Sequence, residues 1–265
     1  MDTVRLTEKG NTKMIAHRGV SKLERENTMP AFVAAGNRSY YGIETDIHVT
    51  RDGRFIVHHD TSTLRLTGVD SIIEEQDYDT LRKLEIMDFD DQPRVDLHMP
   101  SLQEYIKICK KYGKIAVLEL KNAMTREQVY AVCDVLDGLE YRGGVVIISF
   151  DYDNLLYVKA KHPEQKVQFL CKEYDEELIL KLKKDGMDLD IHRGAVDKNL
   201  VDLCHKNGLE LNAWTVDDPE QAMSFIEMGI DYITTNILEC ALSAGILTAD
   251  FLFLLLNTVA FGCKK

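Results

Sequence analysis

Eight short apolar runs, each followed by a longer amphipathic or polar stretch, recur along this 265-residue chain. Met14–Ala16, Ile43–Val49, Ile115–Leu118, Val145–Ser149, Val167–Cys171, Met187–Ile191, Leu209–Thr215 and Tyr232–Thr234 have the character of strands buried on both faces. Helix-start signals lie between them. Asn27 reads as the cap of a helix to about Arg38, with Pro30 tolerated in its first turn. Ser101 with Glu104 forms a capping box for a helix ending near Tyr112-Gly113, and Thr125 with Gln128 forms another for a helix to about Leu139. Strands alternating with helices at this length predict a parallel (β/α)₈ barrel, the TIM-barrel form of the α/β class. A doubly wound open sheet is the rival, and no Gly-x-Gly-x-x-Gly follows the first strand to support its dinucleotide-binding version. No linker-like segment divides the sequence, so one domain over residues 1–265 is expected, with an insertion at roughly 61–100 after the second barrel strand.

The densest chemistry lies between Gly42 and Asp60. Glu44 and Asp46 stand two apart in a strand, so both carboxylates face the same way. Asp52-Gly53 signals a turn, and the run Arg54–His58 then returns His59-Asp60 towards that face. Paired carboxylates repel, and a fold keeps such a pair where a cation neutralises it. A histidine brought to the same place adds an acid–base group near neutral pH. The pattern points to a metal-assisted hydrolase. In a barrel the chemistry gathers at the C-terminal ends of strands, and His17, Glu44, Asp46, Glu119, Lys121 and Trp214 fall at or near such ends.

The remaining composition narrows the partners. A net charge of -12 argues against a nucleic-acid backbone or an anionic membrane surface. Cys109, Cys133, Cys171, Cys204, Cys240 and Cys263 form no Cys-x-x-Cys pair, which fits reduced thiols. The first ten residues lack the apolar core of a signal peptide, so the cytoplasm is the expected location. Phe251–Cys263 is strongly apolar but shorter than the ~20 residues that span a bilayer, so no integral span is expected. Packing of this tail (residues 250–265) on the barrel is the first expectation, a homodimer contact the second and a peripheral membrane anchor the third.

The ordered motifs resemble the glycerophosphodiester phosphodiesterase family. They are His17-Arg18-Gly19, Glu26-Asn27-Thr28 with Ala31-Phe32, Ile43-Glu44-Thr45-Asp46, Thr50-Arg51-Asp52-Gly53, Val57-His58-His59-Asp60 and Arg65-Leu66-Thr67-Gly68. Leu118-Glu119-Leu120-Lys121, Ala213-Trp214-Thr215-Val216 and Thr234-Thr235-Asn236 complete the set, over roughly residues 13–240. The resemblance implies a barrel enzyme that hydrolyses glycerophosphodiesters to glycerol 3-phosphate and an alcohol. It assigns His17 and His59 as the acid–base pair and Glu44, Asp46 and Glu119 as ligands of one divalent cation. Arg18 and Lys121 would hold phosphate oxygens, and Trp214 would pack against glycerol. An all-carboxylate set prefers a hard cation, Mg²⁺ or Ca²⁺. The resemblance further implies attack by the neighbouring glycerol hydroxyl through a cyclic phosphate.

Other readings compete at single positions. His48 shares the alternation of Glu44 and Asp46, and a role in a lower core layer is expected for it. His58 and His59 face opposite ways, and the one beside Asp60 matches the motif. The second His-Arg-Gly, at His192-Arg193-Gly194, is followed by no further block and is expected to be chance. Arg25 stands where the family usually has proline, which adds a cation near the site. The acidic stretch from Val69 to Met99 is expected to shape the headgroup pocket. Two alternatives to the hydrolase are a related phospholipase D-like lyase that stops at a cyclic phosphate and a silent barrel that binds a phosphorylated ligand.

Overall fold

A computed structural model describes residues 2–7 and 10–240. The apolar tail, Cys263 and the homodimer contact expected there lie outside the described residues. Eight strands close on one another: β2 (Lys13–Ala16), β3 (Gly42–Val49), β5 (Ile115–Leu120), β6 (Val145–Ser149), β7 (Val167–Cys171), β8 (Asp188–His192), β9 (Leu211–Trp214) and β10 (Tyr232–Thr235). All eight are parallel, and the pairing of β2 with both β3 and β10 shuts the cylinder. The open sheet is thereby excluded. Every strand foreseen from the sequence is present. Two further short strands, β1 (Val4–Leu6) and β11 (Leu238–Cys240), pair with each other outside the barrel.

The helices form the outer ring: α1 (Met29–Gly36), α4 (Leu102–Tyr112), α5 (Arg126–Gly138), α6 (Tyr152–Lys161), α7 (Glu176–Asp185), α8 (Lys198–Asn207) and α9 (Pro219–Met228). Both foreseen capping boxes are made, at Ser101–Glu104 and Thr125–Gln128. The cap of α1 differs from expectation. Thr28, whose hydroxyl accepts from the Ala31 amide, is the cap, and Asn27 sits one residue earlier in left-handed backbone. The sequence offers two adjacent capping residues, and the binding site takes one of them.

Inside the barrel, Ile15, Val117, Val146, Ile148, Leu170 and Tyr232 form an apolar plug. The larger core lies between strands and helices. The excursion after β3 has a core of its own. It carries β4 (Phe55–Val57), antiparallel to β3, then α2 (Leu64–Thr67) and α3 (Tyr78–Leu81). Ile56, Leu66, Ile73, Leu81, Ile86, Leu97 and Met99 bury one another there. It is thus a packed cap on one side of the barrel mouth.

Candidate active site

Strand register builds the acidic centre. Asp46 of β3 pairs in register with Glu119 of β5, and Glu44 lies two residues earlier on the same inward face. Oxygens of all three carboxylates lie within 4.8 Å of one another, and all three side chains are buried. Burial and the Asp46 charge raise the Glu44 carboxyl well above its ordinary value. The same two causes push Glu119 up to about 8. Burial alone would also raise Asp46, but Arg18 and then Lys121 hold it well below the usual range. Lys121 Nζ is 2.8 Å from Glu119 and 3.5 Å from Asp46. Even so, Asp46 Oδ1 is buried with no hydrogen-bond partner. Three acids with an orphaned oxygen and too little compensating charge suit a hard dication of oxygen-ligand preference.

The loop after β2 is shaped to meet this centre. Arg18 and Gly19 both have positive φ, which turns the Arg18 amide onto Glu44 Oε2 at 2.9 Å. A Cβ at Gly19 would stand 2.6 Å from the Ala31 backbone, so only glycine fits there. Asn27 takes left-handed backbone because its side chain is needed inward: it donates to Asp46 Oδ2 and accepts from Thr45. The Arg18 guanidinium bonds Glu26 at 2.8 Å and approaches Asp46 at 3.5 Å.

Each histidine is oriented by its own chain of partners. Asp217 accepts from the Asn236 side-chain amide, which turns Asn236 Oδ1 towards His17 Nδ1 at 2.8 Å. That oxygen can only accept, so His17 carries its proton on Nδ1 and presents a bare Nε2 near Glu44. Burial, then Arg18, lowers the His17 imidazole to about 4. His59 donates from Nδ1 to Asp60 Oδ1 at 2.7 Å, which likewise leaves Nε2 free. Arg65 from the excursion holds Asp60 through Nε and grips Glu26 through both terminal nitrogens. Burial would raise Glu26, but Arg65 and Arg18 bring it down to about 2. One ionic chain therefore runs from His59 through Asp60, Arg65 and Glu26 to Arg18 and the acidic centre.

His17, Arg18, Glu44, His59, Glu119 and Trp214 all line one cavity, together with Ile148, Phe150, Leu170, Asp190 and Thr234. Asp46 lies beside it, and Lys121 lines the adjoining depression with Thr50, Arg51 and Glu74. Trp214 meets Phe150 edge to face at 5.6 Å. None of these cavity-lining residues comes from 69–99, the stretch expected to shape the headgroup pocket, although its Glu74 lines the adjoining depression. The excursion acts instead through Arg65 and through Glu74, which reaches His48 and Asn122. His48 is likewise no lower-layer residue; it lies beyond Asp46 towards the C-terminal end of β3. Arg25 does not line the cavity; its guanidinium lies over the Phe89 ring of the excursion. His58 is buried against the Ser62 carbonyl, and His192 packs on Trp214 without lining the cavity. Sequence reasoning gave no role to Asn236, Asp217, Asp60, Arg65 or Glu26, although all but Asp217 lie within the quoted motifs. Nothing in the sequence signalled Asp190.

The barrel, the triad and the two histidines meet at one mouth, and comparison with known proteins gives this mouth a lineage. The model of the Glycerophosphoryl diester phosphodiesterase family matches residues 17–239. The chain belongs to that family. A Caldanaerobacter subterraneus protein named glycerophosphodiester phosphodiesterase is 28% identical over 231 residues, covering 85% of this chain and 94% of its own. The structure of an Oleispira antarctica phosphodiesterase in complex with its product sn-glycerol-3-phosphate is 25% identical, with a TM-score of 0.77 over 84% of this chain and 92% of that one. A Parabacteroides distasonis glycerophosphodiester phosphodiesterase is 27% identical, with a TM-score of 0.74 over 95% of this chain and all of its own (100%). For this member of the family, among the described residues, no helix is long and apolar enough to cross a membrane.

Proposed function

We propose that this chain hydrolyses glycerophosphodiesters to glycerol 3-phosphate and an alcohol. His17 and His59 divide the proton transfers, and Glu44, Asp46 and Glu119 hold one Mg²⁺ or Ca²⁺. The observation that carries this reading is the convergence, on one cavity, of a buried acidic triad and two imidazoles with free Nε2 atoms. When bound, the dication would polarise the phosphoryl oxygens. Arg18 holds a phosphate oxygen; Lys121, expected in the same role, pairs with Glu119 and Asp46 and lines the adjoining depression, so here it is assigned to supporting the triad. The Trp214 ring provides a wall for the glycerol carbons.

In the first half-reaction one imidazole accepts the proton of the glycerol hydroxyl beside the phosphate, and its oxygen bonds to phosphorus. The bond to the alcohol oxygen breaks, and that oxygen takes its proton from the other imidazole, which must first gain one against the downward shift that burial imposes. In the second half water adds to the cyclic phosphate with the two proton transfers reversed, giving glycerol 3-phosphate. Each transfer is typically worth ~10²–10⁴-fold in rate. The four thiols Cys109, Cys133, Cys171 and Cys204 are free, which supports a reducing compartment such as the cytoplasm.

Assay of glycerophosphocholine, -ethanolamine, -glycerol and -inositol with Mg²⁺ or Ca²⁺ tests the reading. H17A and H59A should each lose at least about 10²-fold in kcat while remaining folded. Near-normal turnover in either variant removes that residue from the mechanism. Accumulation of a cyclic phosphate that never opens would make the chain a lyase instead. Undiminished cleavage of a diester lacking the neighbouring hydroxyl would replace the cyclic route by direct attack of water.

A further inference from the structure

The wall of the cavity opposite the acidic triad carries a carboxyl to which the reaction above gives no work. Asp190 lies on β8, four strands round the barrel from β3. It is 1% exposed and lines the cavity beside Trp214 and Thr234. Its Oδ1 is buried without a hydrogen-bond partner. Among the described residues it makes no ion pair with Lys, Arg or His. Its register partner on β9, Asn212, exchanges hydrogen bonds with the Thr234 hydroxyl at 2.9 and 3.2 Å and also hydrogen-bonds the Asp190 carboxyl, but Oδ1 stays unpaired. Leaving a buried oxygen of this kind unpaired costs stability. Such a group, kept on the wall of a binding cavity, marks where a ligand supplies the missing partner.

The chemistry of that partner follows from the surroundings. A phosphoryl group belongs on the other wall, where Arg18 and the triad stand. A metal is not favoured either, since among the described residues the only carboxylate cluster of metal-ligand spacing is the triad itself. Burial pushes the Asp190 carboxyl up to about 8, so at neutral pH it is mostly an acid that both donates and accepts. A hydroxyl does the same. Ile148 and Leu170 lie between the two walls and suit the carbons of a short chain.

We propose that Asp190 receives the terminal hydroxyl of the glycerol unit and makes the site selective for glycerol over three-carbon diesters that lack it. The assignment rests on the glycerophosphodiesterase reading. A phosphoryl group on the triad side leaves the glycerol end extending across the mouth, with Asp190 at its far limit. Asp190 is then a specificity-determining residue and takes no part in the proton transfers.

The test compares glycerophosphocholine with 2-hydroxypropyl phosphocholine, which keeps the attacking hydroxyl and lacks only the terminal one. The native protein should prefer the natural diester by about 10- to 100-fold in kcat/KM. D190L should bring the ratio near unity by losing rate on the natural diester alone, and D190N should keep part of the preference. Retention of the full preference in D190L, or no preference in the native protein, overturns the assignment. D190A serves the same comparison should D190L not fold. Should the native protein cleave neither diester, the functional reading itself is at fault. Calorimetry with glycerol 3-phosphate and 2-hydroxypropyl phosphate then decides for Asp190: a difference in affinity that D190L abolishes supports it, and equal affinities overturn it.

Discussion

At the scale of single residues, the site works by fixing protonation states before substrate arrives. His59 needs its proton on Nδ1, and Asp60 supplies the acceptor. Burial opposes ionisation of Asp60, but Arg65 and His59 hold it ionised well below the usual carboxylate range. D60N should therefore leave the fold intact and lower kcat by ~10²–10⁴-fold with little change in KM, because the amide no longer selects the tautomer. An unchanged kcat would show that His59 orients itself. Asp190 makes a separate, pH-dependent prediction. An unfolded aspartate ionises near 3.8, whereas the folded Asp190 does so at about 8. The folded state thus binds an extra proton between those values, and the native protein loses stability as pH rises through that window. D190N does not titrate and should gain on the native protein by up to a few kcal/mol between pH 4 and 8. Urea midpoints at the two ends of the window check this; a constant difference would mean that Asp190 ionises normally in the folded protein.

At the scale of elements, the loop after β2 and the excursion after β3 decide whether these residues meet. Gly19 carries a φ of +79, and its missing Cβ leaves room for the Ala31 backbone. G19A should cost about 1–3 kcal/mol and dislodge the Arg18 amide from Glu44. A thermal melt with a parallel activity measurement would show whether both losses occur together. The excursion is tied in by Arg65, whose three hydrogen bonds span Asp60 and Glu26. R65K should lose most of the activity lost by R65A, since an ammonium cannot make the two-pronged contact with Glu26. Full activity in R65K would reduce Arg65 to a point charge.

Strands and capped helices were legible in the sequence because apolar runs and capping residues are local signals. Two of the three acids were legible for a related reason, since strand alternation places Glu44 and Asp46 on one face; Glu119 entered the set only through the family resemblance. What lay beyond the sequence was long-range pairing. Nothing local says that Asn27 turns from cap to Asp46 partner, or that Glu74 reaches back to His48. Asp190 is hidden for the same reason. A lone aspartate in a strand becomes informative only when its burial, and the missing partner, can be seen.

For the molecule as a whole, the difficulty is that an acidic protein must hold an anionic substrate. The net charge is -12, and the site does not reverse it locally. Around the cavity, besides Asp190, five carboxyl groups (Glu26, Glu44, Asp46, Asp60 and Glu119) face three permanent cations (Arg18, Arg65 and Lys121), and both histidines are shifted towards the neutral form. Protons on Glu44 and Glu119 relieve part of that excess, as their raised values require. A dication entering the triad would displace those protons and add charge where the phosphodiester must sit. Metal binding at neutral pH should therefore release protons, and metal affinity should rise with pH through about 8, where Glu119 becomes ionised without help. Calorimetry of Mg²⁺ or Ca²⁺ binding in buffers of different ionisation enthalpy measures the proton count directly. The same balance predicts that glycerol 3-phosphate binds at least about tenfold more weakly to chelator-treated protein, because the unloaded mouth repels it. Equal affinity with and without metal would mean that Arg18 alone captures the phosphoryl group. The dication would then serve the chemical step and not the overcoming of the protein's own field.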